Sequence, residues 1–556
     1  MKKTWWKESV VYQIYPRSFK DSNGDGIGDL KGVIEKLDHI KSLGVDVIWL
    51  CPVYKSPNDD NGYDISDYYN IMDEFGDMAT FDELLQGIHE RQMKLVMDLV
   101  VNHTSDEHQW FTESKKSKDN PYRDYYIWKQ GENGGPPNNW TSFFSGSAWQ
   151  LDEATGEYYL HLFSKKQPDL NWENPKVREE VYQLMRFWLD KGVDGFRMDV
   201  IPLISKRQDY PSVGDEKFLD VIENVYSNGP RVHEYLNEMN REVISQYDMM
   251  TIGEGIGIRP EQANLYVGED RNELHMIFHF GHMFIDSGEG GKYDIVPWKL
   301  SDFKDVFNQW DENLGEDGWG SIYLGNHDFS RSLSRFGNDD EYWSESAKLL
   351  ATLLLTLRGT VYIYQGDEIG MTNVAYPSVD DYRDIESLNS YHEAVANGQD
   401  ADEWLKALHI QSRDNARTPI QWDNAPHGGF TSGAPWIKVN ENYANINVAS
   451  QENDPDSILN YFRKAVKFRK DHKGLVYGSY RSINNEDESI YAYLREFEGE
   501  RYFVILNFTS EEQPFDMGAF GDFGGVTSLL SNYKDEVLEG NMLKLRPWEA
   551  SVYQSV

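Results

Sequence analysis

Cysteine and basic residues are scarce in this sequence of 556 residues. It has one cysteine, Cys51, so no disulfide can form within the chain. Because Cys51 lies in the apolar run 47–51, we predict a buried, inert thiol. The 54 lysines and arginines stand against 93 aspartates and glutamates, which gives a formal net charge of −39. A chain this acidic repels phosphate backbones and anionic lipid headgroups, so neither nucleic acid nor a membrane surface is an expected partner.

Long hydrophobic runs are also missing. The longest apolar stretch, around 349–357, is too short to cross a bilayer, and the basic first residues are not followed by the apolar segment of a secretory signal. Together with the single cysteine, this predicts a soluble, cytoplasmic protein, provided that the sequence is the full natural chain. The composition, 39% hydrophobic and 26% charged, is that of a folded protein.

Short β-branched and aromatic runs alternate with amphipathic helical patterns along most of the chain, which is typical of a parallel α/β fold. The candidate strands are 10–15, 46–53, 94–101, 193–198, 249–253, 275–280, 321–324 and 361–364. Eight such units favour a TIM (β/α)8 barrel, in which the active site lies at the carboxyl ends of the strands.

A barrel needs only about 250 residues, so the rest of the chain is expected in excursions and an added domain. The Gly-, Pro- and Asn-rich segment 104–171 is predicted to be a small inserted domain after the third strand. A second excursion, 371–450, follows the eighth strand, and alternating stretches predict a C-terminal antiparallel, sandwich-like β domain over 480–556. The catalytic barrel then comprises 1–103 and 172–479.

Polar residues cluster where these strands end, which in a barrel is the catalytic rim. Three of them, from separate strands, are the carboxylic acids Asp199, Glu254 and Asp328. A single aspartate at a strand end is more often a helix cap or part of a structural ion pair. Three carboxylic acids at the same rim of the barrel favour a catalytic role. Glycoside hydrolysis needs such a set, with one ionised carboxyl group to attack the anomeric carbon and one protonated group to donate to the leaving oxygen.

The neighbours of two of these acids suggest different pKa values. Arg197 lies two residues before Asp199, on the same strand face, and is expected to keep Asp199 ionised. Glu254 has a glycine on each side and no adjacent cation, which lets its pKa rise on burial, as a general acid requires.

Four segments, 98–103, 195–199, 253–254 and 326–328, resemble in this order the signature regions of the alpha-amylase family, glycoside hydrolase family thirteen. The run QPDLN at 167–171 is similar to the fingerprint of its oligo-1,6-glucosidase and α-glucosidase subfamily. The resemblance covers essentially the whole chain, and it implies a retaining α-glucosidase.

The resemblance also implies a role for each matching residue. Asp199 would be the nucleophile, Glu254 the general acid and then base, and Asp328 the stabiliser of the transition state. The residues implied around the terminal glucose are Tyr63, His103, Phe144, Phe163, Gln167, Arg197 and His327. Among these, Arg197 would hold the nucleophile, Tyr63 would stack on the sugar face, and the two histidines would donate to hydroxyl groups in either neutral or charged form.

Two further matches concern specificity. Asp64 and Arg413 correspond to a charge pair that closes the terminal subsite in related glucosidases, which implies removal of single glucose units from non-reducing ends. Val200 corresponds to a valine of relatives that cut α-1,6 bonds, although packing alone would also account for it. The implied substrates are isomaltose and short isomalto-oligosaccharides. An α-1,4-glucosidase or a sucrose-cleaving relative stays open as an alternative, and an inactive sugar-binding family member is a remote one.

The loop 21–29 places oxygen atoms at alternate positions, in the manner of a calcium loop. The candidate ligands are Asp21, Asn23, Asp25, the carbonyl group of Ile27, and Asp29. A Gly-rich turn that caps the next helix through Asp29 would give the same pattern. Because the resembling glucosidases bind a cation in this loop, we predict a structural calcium, or magnesium, without a catalytic part. No organic cofactor is expected, and the oligomeric state is left open with a monomer favoured.

Overall fold

The computed structural model describes residues 2–521, 525–535 and 538–555. Its strands, in chain order, are β1 (Val10–Ile14), β2 (Val47–Leu50), β3 (Tyr54–Lys55), β4 (Asp67–Ile71), β5 (Lys94–Leu99), β6 (Trp128–Lys129), β7 (Trp149–Asp152), β8 (Glu157–Leu160), β9 (Gly195–Met198), β10 (Met250–Glu254), β11 (Met276–Phe278), β12 (Ser287–Gly288), β13 (Gly291–Ile295), β14 (Ser321–Ile322), β15 (Thr360–Tyr364), β16 (Ser479–Ile483), β17 (Ile490–Phe497), β18 (Glu500–Asn507), β19 (Gln513–Asp516), β20 (Val526–Ser531), β21 (Leu538–Glu539), β22 (Met542–Leu545) and β23 (Ala550–Ser555). Its α-helices are α1 (Trp5–Glu8), α2 (Leu30–Glu35), α3 (Leu37–Ser42), α4 (Met78–Glu90), α5 (Gln109–Ser114), α6 (Pro175–Lys191), α7 (Phe218–Val221), α8 (Val232–Glu242), α9 (Ala263–Val267), α10 (Leu300–Leu314), α11 (Ser332–Phe336), α12 (Trp343–Thr356), α13 (Ile385–Ala396), α14 (Ala401–Gln411), α15 (Asp414–Arg417), α16 (Val448–Glu452), α17 (Ile458–Asp471) and α18 (Gly474–Tyr477).

Eight parallel strands form the centre of the molecule in the order β11-β10-β9-β5-β2-β1-β15-β14. A parallel bridge between Ile277 and Gly320 joins the two ends of this sheet, so it is nearly closed. Strands such as β1, β2 and β15 are buried along their whole length, as expected for apolar strands covered on both faces. Each predicted run overlaps one of these strands, and the prediction of a TIM (β/α)8 barrel is confirmed.

The longer helices pack their apolar faces into the same core as the barrel strands. Helix α6 shows how their ends are fixed: the side chain of Asn174 accepts a hydrogen bond from the Lys176 amide, Pro175 starts the helix, and Gly192 ends it at φ 112°. Within the part of the chain that the structure describes, none of the helices combines the length and the apolar composition that a membrane crossing requires.

Smaller antiparallel sheets lie outside the barrel, and three of them correspond to the predicted added domains. After the third barrel strand, β6, β8 and β7 form an antiparallel sheet. At the C-terminus, a five-stranded sheet (β16-β17-β18-β23-β20) and a three-stranded one (β19-β22-β21) are both antiparallel and enclose their own apolar cluster. The predicted small inserted domain and C-terminal β domain are therefore present. The boundaries 104–171 and 480–556 stay predictions, and residues 1, 522–524, 536–537 and 556 lie outside the described residues.

Candidate active site

A cavity of about 910 Å³ opens at the carboxyl ends of the barrel strands. Asp199 follows β9, Glu254 ends β10, and Asp328 lies in the loop after β14, so three carboxyl groups reach one rim from separate strands. All three line the cavity, and so do the predicted site residues Tyr63, His103, Phe144, Phe163, Val200 and Arg413. The remaining predicted side chains, Asp64, Gln167, Arg197 and His327, are buried behind this lining.

Arg197 joins three carboxyl groups at the base of the cavity. Its Nη1 atom is 2.7 Å from Asp199 Oδ1 and 2.6 Å from Asp98 Oδ1, and its Nη2 atom is 2.8 Å from Glu254 Oε2. Strand register explains this arrangement, because Arg197 pairs with Asp98 of β5 and with Ile252 of β10, two residues before Glu254. The prediction that Glu254 has no neighbouring cation is therefore wrong: the cation comes from the adjacent strand.

Asp199 and Glu254 titrate as one buried pair. Burial raises the pKa of Asp199 well above its usual range, and the nearby Glu254 adds to this rise against the effect of Arg197. Burial likewise raises the pKa of Glu254, again opposed by Arg197. Both carboxyl groups therefore bind a proton more readily than an exposed acid does. Arg197 opposes the rise in pKa at both groups, so its effect, which was expected on Asp199, extends to Glu254 as well.

Asp328 has the opposite character. Burial would raise its pKa, but the two guanidinium groups of Arg413 and Arg417 outweigh it and hold that pKa below the usual range. Asp328 Oδ1 is 3.3 Å from Arg413 Nη1 and 3.1 Å from Arg417 Nη2. The site therefore combines one carboxyl group whose pKa is lowered with two whose pKa values are raised, and two environments for similar acids allow different chemical roles.

Arg413 closes one end of the cavity within a cluster of acids, but its partner is not Asp64. Its Nη2 atom lies 3.2 Å from Asp60 Oδ1 and 2.5 Å from Asp384 Oδ1. The carboxylate of Asp64 instead accepts hydrogen bonds from Ser56 Oγ and from the backbone amides of Asp59 and Asp60. The predicted Asp64–Arg413 pair is therefore corrected to Asp60–Arg413, because Asp64 turns inward to hold the loop in which both aspartates lie.

Burial favours the neutral form of the two predicted histidines. It lowers the pKa of His103 to about 4 and that of His327 to about 3, so of the two forms left open by the sequence the neutral one is favoured. His103 Nε2 is 3.1 Å from the Tyr63 carbonyl oxygen and 3.3 Å from Gln167 Nε2. The His327 ring stacks on Tyr63 with centroids 5.2 Å apart and an interplanar angle of 8°, so Tyr63 stands between His327 and the cavity.

Val200 adopts an unusual backbone conformation beside the catalytic pair. Its φ is 37° and its ψ is 39°, a left-handed geometry that is strained for a β-branched residue. The Val200 amide donates a 2.9 Å hydrogen bond to Glu254 Oε2, and the side chain is 6% exposed. Such a strained conformation persists only where the surrounding structure holds it in place. Here it orients the Val200 amide toward Glu254.

Sequence reasoning missed several residues around the site. They are Asp60, Asp98, Lys292, Asp384, Glu386 and Arg417. Asp98 could have been found, because a fully buried carboxylate inside an apolar strand requires a partner. Lys292 and Glu386, whose charged atoms are 2.9 Å apart, come from segments far apart in sequence, and no local pattern distinguishes them.

The loop 21–29 is closed by its own hydrogen bonds. Asp21 accepts from the amides of Asn23, Gly24 and Gly26 and from Thr431 Oγ1. Asn23 and Asp25 each accept from the amide two residues later, and Asp29 caps α2 through the Gly32 amide. Among the described residues, no group of three or more His, Cys, Asp or Glu side chains converges to hold a metal ion. The oxygen donors themselves fit a hard cation such as Ca²⁺.

Comparison with known proteins agrees with the resemblance. The family profile "Alpha amylase, catalytic domain" matches residues 13–478, and "Alpha-amylase SusG C-terminal domain" matches residues 490–552. An oligo-1,6-glucosidase of Parageobacillus thermoglucosidasius is 58% identical over 100% of this chain and 99% of its own length. One of Bacillus cereus is 58% identical over the full length of both chains. Among solved structures, an isomaltulose synthase mutant from Erwinia rhapontici NX5 in complex with sucrose superposes with a TM-score of 0.96 at 45% identity and 99% coverage of both chains.

Proposed function

The chain belongs to the alpha-amylase family of glycoside hydrolases, and from this membership we propose that it is a retaining, exo-acting α-glucosidase specific for α-1,6 bonds. Its substrates are isomaltose and short isomalto-oligosaccharides, attacked at the non-reducing end. The observation that carries this proposal is the convergence of Asp199, Glu254 and Asp328 on one cavity, in a chain similar over its whole length to oligo-1,6-glucosidases.

In the first step, an Asp199 carboxylate oxygen attacks the anomeric carbon while the bond from that carbon to the glycosidic oxygen breaks. Glu254 gives its proton to the leaving oxygen, so the aglycone departs as an alcohol and a glucosyl ester remains on Asp199. Asp199 and Glu254 both contact the guanidinium group of Arg197, at 2.7 Å and 2.8 Å, and this closeness supports the retaining route, because an inverting enzyme needs room for a water molecule between its two carboxyl groups.

In the second step, the Glu254 carboxylate takes a proton from water, and the water oxygen attacks the anomeric carbon from the side that the aglycone left. The ester bond breaks, Asp199 regains its charge and α-glucose is released. The raised pKa of Glu254 supports it as the proton donor. Formation of the ester removes the charge of Asp199, so the next proton transfer involves Glu254 alone.

The other residues bind and orient the sugar in this proposal. Asp328, ionised beside two arginines, accepts hydrogen bonds from the 2- and 3-hydroxyl groups as the ring distorts. The Asp60–Arg413 pair closes the far end, which limits attack to the terminal unit. The residues that complete the terminal subsite are Tyr63, His103, Phe144, Phe163, Gln167, Arg197 and His327.

The α-1,6 preference rests on Val200 and on the named relatives. Val200 lines the cavity next to Glu254, where its branched side chain narrows the space beside the leaving oxygen. A sucrose-acting enzyme is the second candidate, because an isomaltulose synthase shares the fold at a TM-score of 0.96. The two candidates share the first chemical step and differ in the aglycone that they accept.

Initial rates on isomaltose, maltose and sucrose at equal concentration test the proposal. Isomaltose is expected to be cleaved fastest, and faster turnover of sucrose or maltose would overturn the α-1,6 assignment. NMR of the first product is expected to show α-glucose, and initial β-glucose would exclude the covalent route. In parallel, Asp199→Asn is expected to lower kcat by about 10⁴-fold or more with an unchanged melting temperature, because the nucleophile is lost.

A structural cation in the loop 21–29 is part of the same proposal. Asp21, Asn23, Asp25, Asp29 and the carbonyl of Ile27 would hold Ca²⁺ or Mg²⁺, which would stabilise the first βα loop of the barrel and take no part in the chemistry. A cytoplasmic location is supported by the single, buried cysteine. A monomer is the functional unit in this proposal, with Asp199, Glu254 and Asp328 of one chain as its complete set of reacting carboxyl groups.

A further inference from the structure

The mouth of the cavity has an apolar side that the proposed mechanism does not use. Phe218 and Leu219 line the cavity, yet 39% of Phe218 and 44% of Leu219 is exposed to solvent. Both belong to the short helix α7, between the fourth barrel strand and α8. Two adjacent large apolar side chains exposed at the entrance of a site for a polar substrate suggest a contact surface.

A continuous row of rings connects this surface to the terminal sugar subsite. The His103 and Phe163 ring centroids are 5.1 Å apart, those of Phe163 and Phe143 are 4.8 Å apart, and those of Phe143 and Phe218 are 5.2 Å apart. Exposure increases along the row, from buried His103 through half-buried Phe163 and Phe143 to exposed Phe218. One wall of the cavity therefore remains aromatic from its base to its mouth.

The exposed residues are held in place by buried neighbours. Val221 and Ile222, which follow after Asp220, are 5% and 2% exposed, and Tyr226 at the end of the π-helical turn 222–226 is fully buried. The Thr141 amide donates a 3.0 Å hydrogen bond to the Tyr226 hydroxyl oxygen, so the turn is tied to the inserted domain. Helical turns with this irregular geometry are frequent at functional sites.

We propose that Phe218 and Leu219 form a subsite for a glucosyl unit beyond the disaccharide that is cleaved, and that the enzyme therefore favours isomaltotriose and longer chains over isomaltose. This rests on the proposed function. The unit is a sugar and not a charged group, because the wall is apolar and the charged groups of Lys217 and Glu289, which line the same cavity, form an ion pair with each other at 3.5 Å. The C–H face of a pyranose ring is apolar and packs against an aromatic face.

The test is the ratio of kcat/KM on isomaltotriose to kcat/KM on isomaltose. In Phe218→Ala this ratio is expected to fall by about five-fold, because one apolar contact is lost, and the change is expected in KM for the trisaccharide, since the contact is made equally in the ground and transition states. Phe218→Tyr keeps the ring and is expected to retain the ratio. An unchanged ratio in Phe218→Ala would overturn the proposal.

Phe187→Ala is the matched control. Phe187 is 37% exposed, close to the value for Phe218, but it lies on the outer helix α6 and packs against Tyr69. An equal fall of the ratio in this variant would also overturn the subsite. A separate test addresses the linkage, and it measures the ratio of kcat/KM on maltotriose to kcat/KM on maltose. If the effect of Phe218→Ala appears only with these α-1,4-linked sugars, the proposed subsite stands and the proposed α-1,6 specificity is refuted.

Discussion

Asp60 offers the sharpest test at the scale of single residues, because Asp64 provides a control four positions away. Asp60 lines the cavity and pairs with Arg413, whereas Asp64 holds the loop together from within. In Asp60→Asn, kcat/KM on isomaltose is expected to fall about 30-fold or more, since the buried charge of Arg413 loses a partner. In Asp64→Asn the melting temperature is expected to fall further than in Asp60→Asn, with a smaller effect on kcat/KM. A larger loss of kcat/KM in Asp64→Asn than in Asp60→Asn would show that Asp64, and not Asp60, is the partner of Arg413.

The same variant tests the pH dependence of the terminal subsite. Burial raises the pKa of Asp60 to about 7, against the effect of Arg413. As the pH rises through about 7, Asp60 therefore gains the charge that pairs with Arg413, and kcat/KM of the wild type is expected to rise with it. Asp60→Asn cannot ionise and is expected to lack this part of the profile. If kcat/KM of Asp60→Asn also rises near pH 7, the rise is caused by the titration of another group.

What the sequence could predict about these residues depends on strand geometry. Arg197 and Asp199 are two residues apart at the end of β9. Side chains at this spacing lie on the same face of a strand, so their contact follows from the sequence. The contact between Arg197 and Glu254 depends on the register of β9 against β10, which no single segment reveals. The loop that contains Asp60 and Asp64 has no period at all, so sequence alone could not decide which aspartate faces the cavity.

At the scale of elements, the loop 21–29 allows a test of the proposed cation. Adding Ca²⁺ to chelator-treated protein is expected to raise the melting temperature, because a ligand bound only by the folded state stabilises it. Asp25→Asn, which removes a charge from an exposed candidate ligand, is expected to require more Ca²⁺ for the same rise. A melting temperature that does not respond to Ca²⁺ or Mg²⁺ would exclude a cation in this loop.

Regular elements were predictable where one pattern ran without interruption. The barrel strands follow from apolar runs, but the amphipathic pattern over 30–43 hides a break at Lys36, whose φ of −107° and ψ of 5° separate α2 from α3. The loops were least predictable. The excursion after the eighth strand brings Asp384, Glu386 and Arg413 to the cavity, and its course depends on packing against the rest of the molecule.

At the scale of the whole molecule, the β domain is attached to the barrel through buried cations. Arg495 of β17 is fully buried and donates to the carbonyl oxygens of Leu475 and Gly478, each at 2.8 Å, and also to that of Thr356 at the end of α12. Carbonyl groups at helix ends lack intrahelical partners, and the arginine satisfies several of them at once. The sequence predicted the barrel and the C-terminal β domain. It did not reveal that Arg495 links them, because an arginine in a strand of alternating polar and apolar residues is expected to face solvent.

The net charge of −39 predicts that salt stabilises the folded chain. Individual surface ion pairs contribute little, whereas a large charge of one sign destabilises the compact state by self-repulsion. The screening length falls from about 30 Å at 0.01 M salt to about 10 Å at 0.1 M, so the melting temperature is expected to rise by a few degrees over this range. Because screening depends on ionic strength alone, NaCl, KCl and choline chloride should act alike at a fixed Ca²⁺ concentration. A response to one salt only would indicate a bound ion, and a decrease would show that the attractive ion pairs outweigh the repulsion.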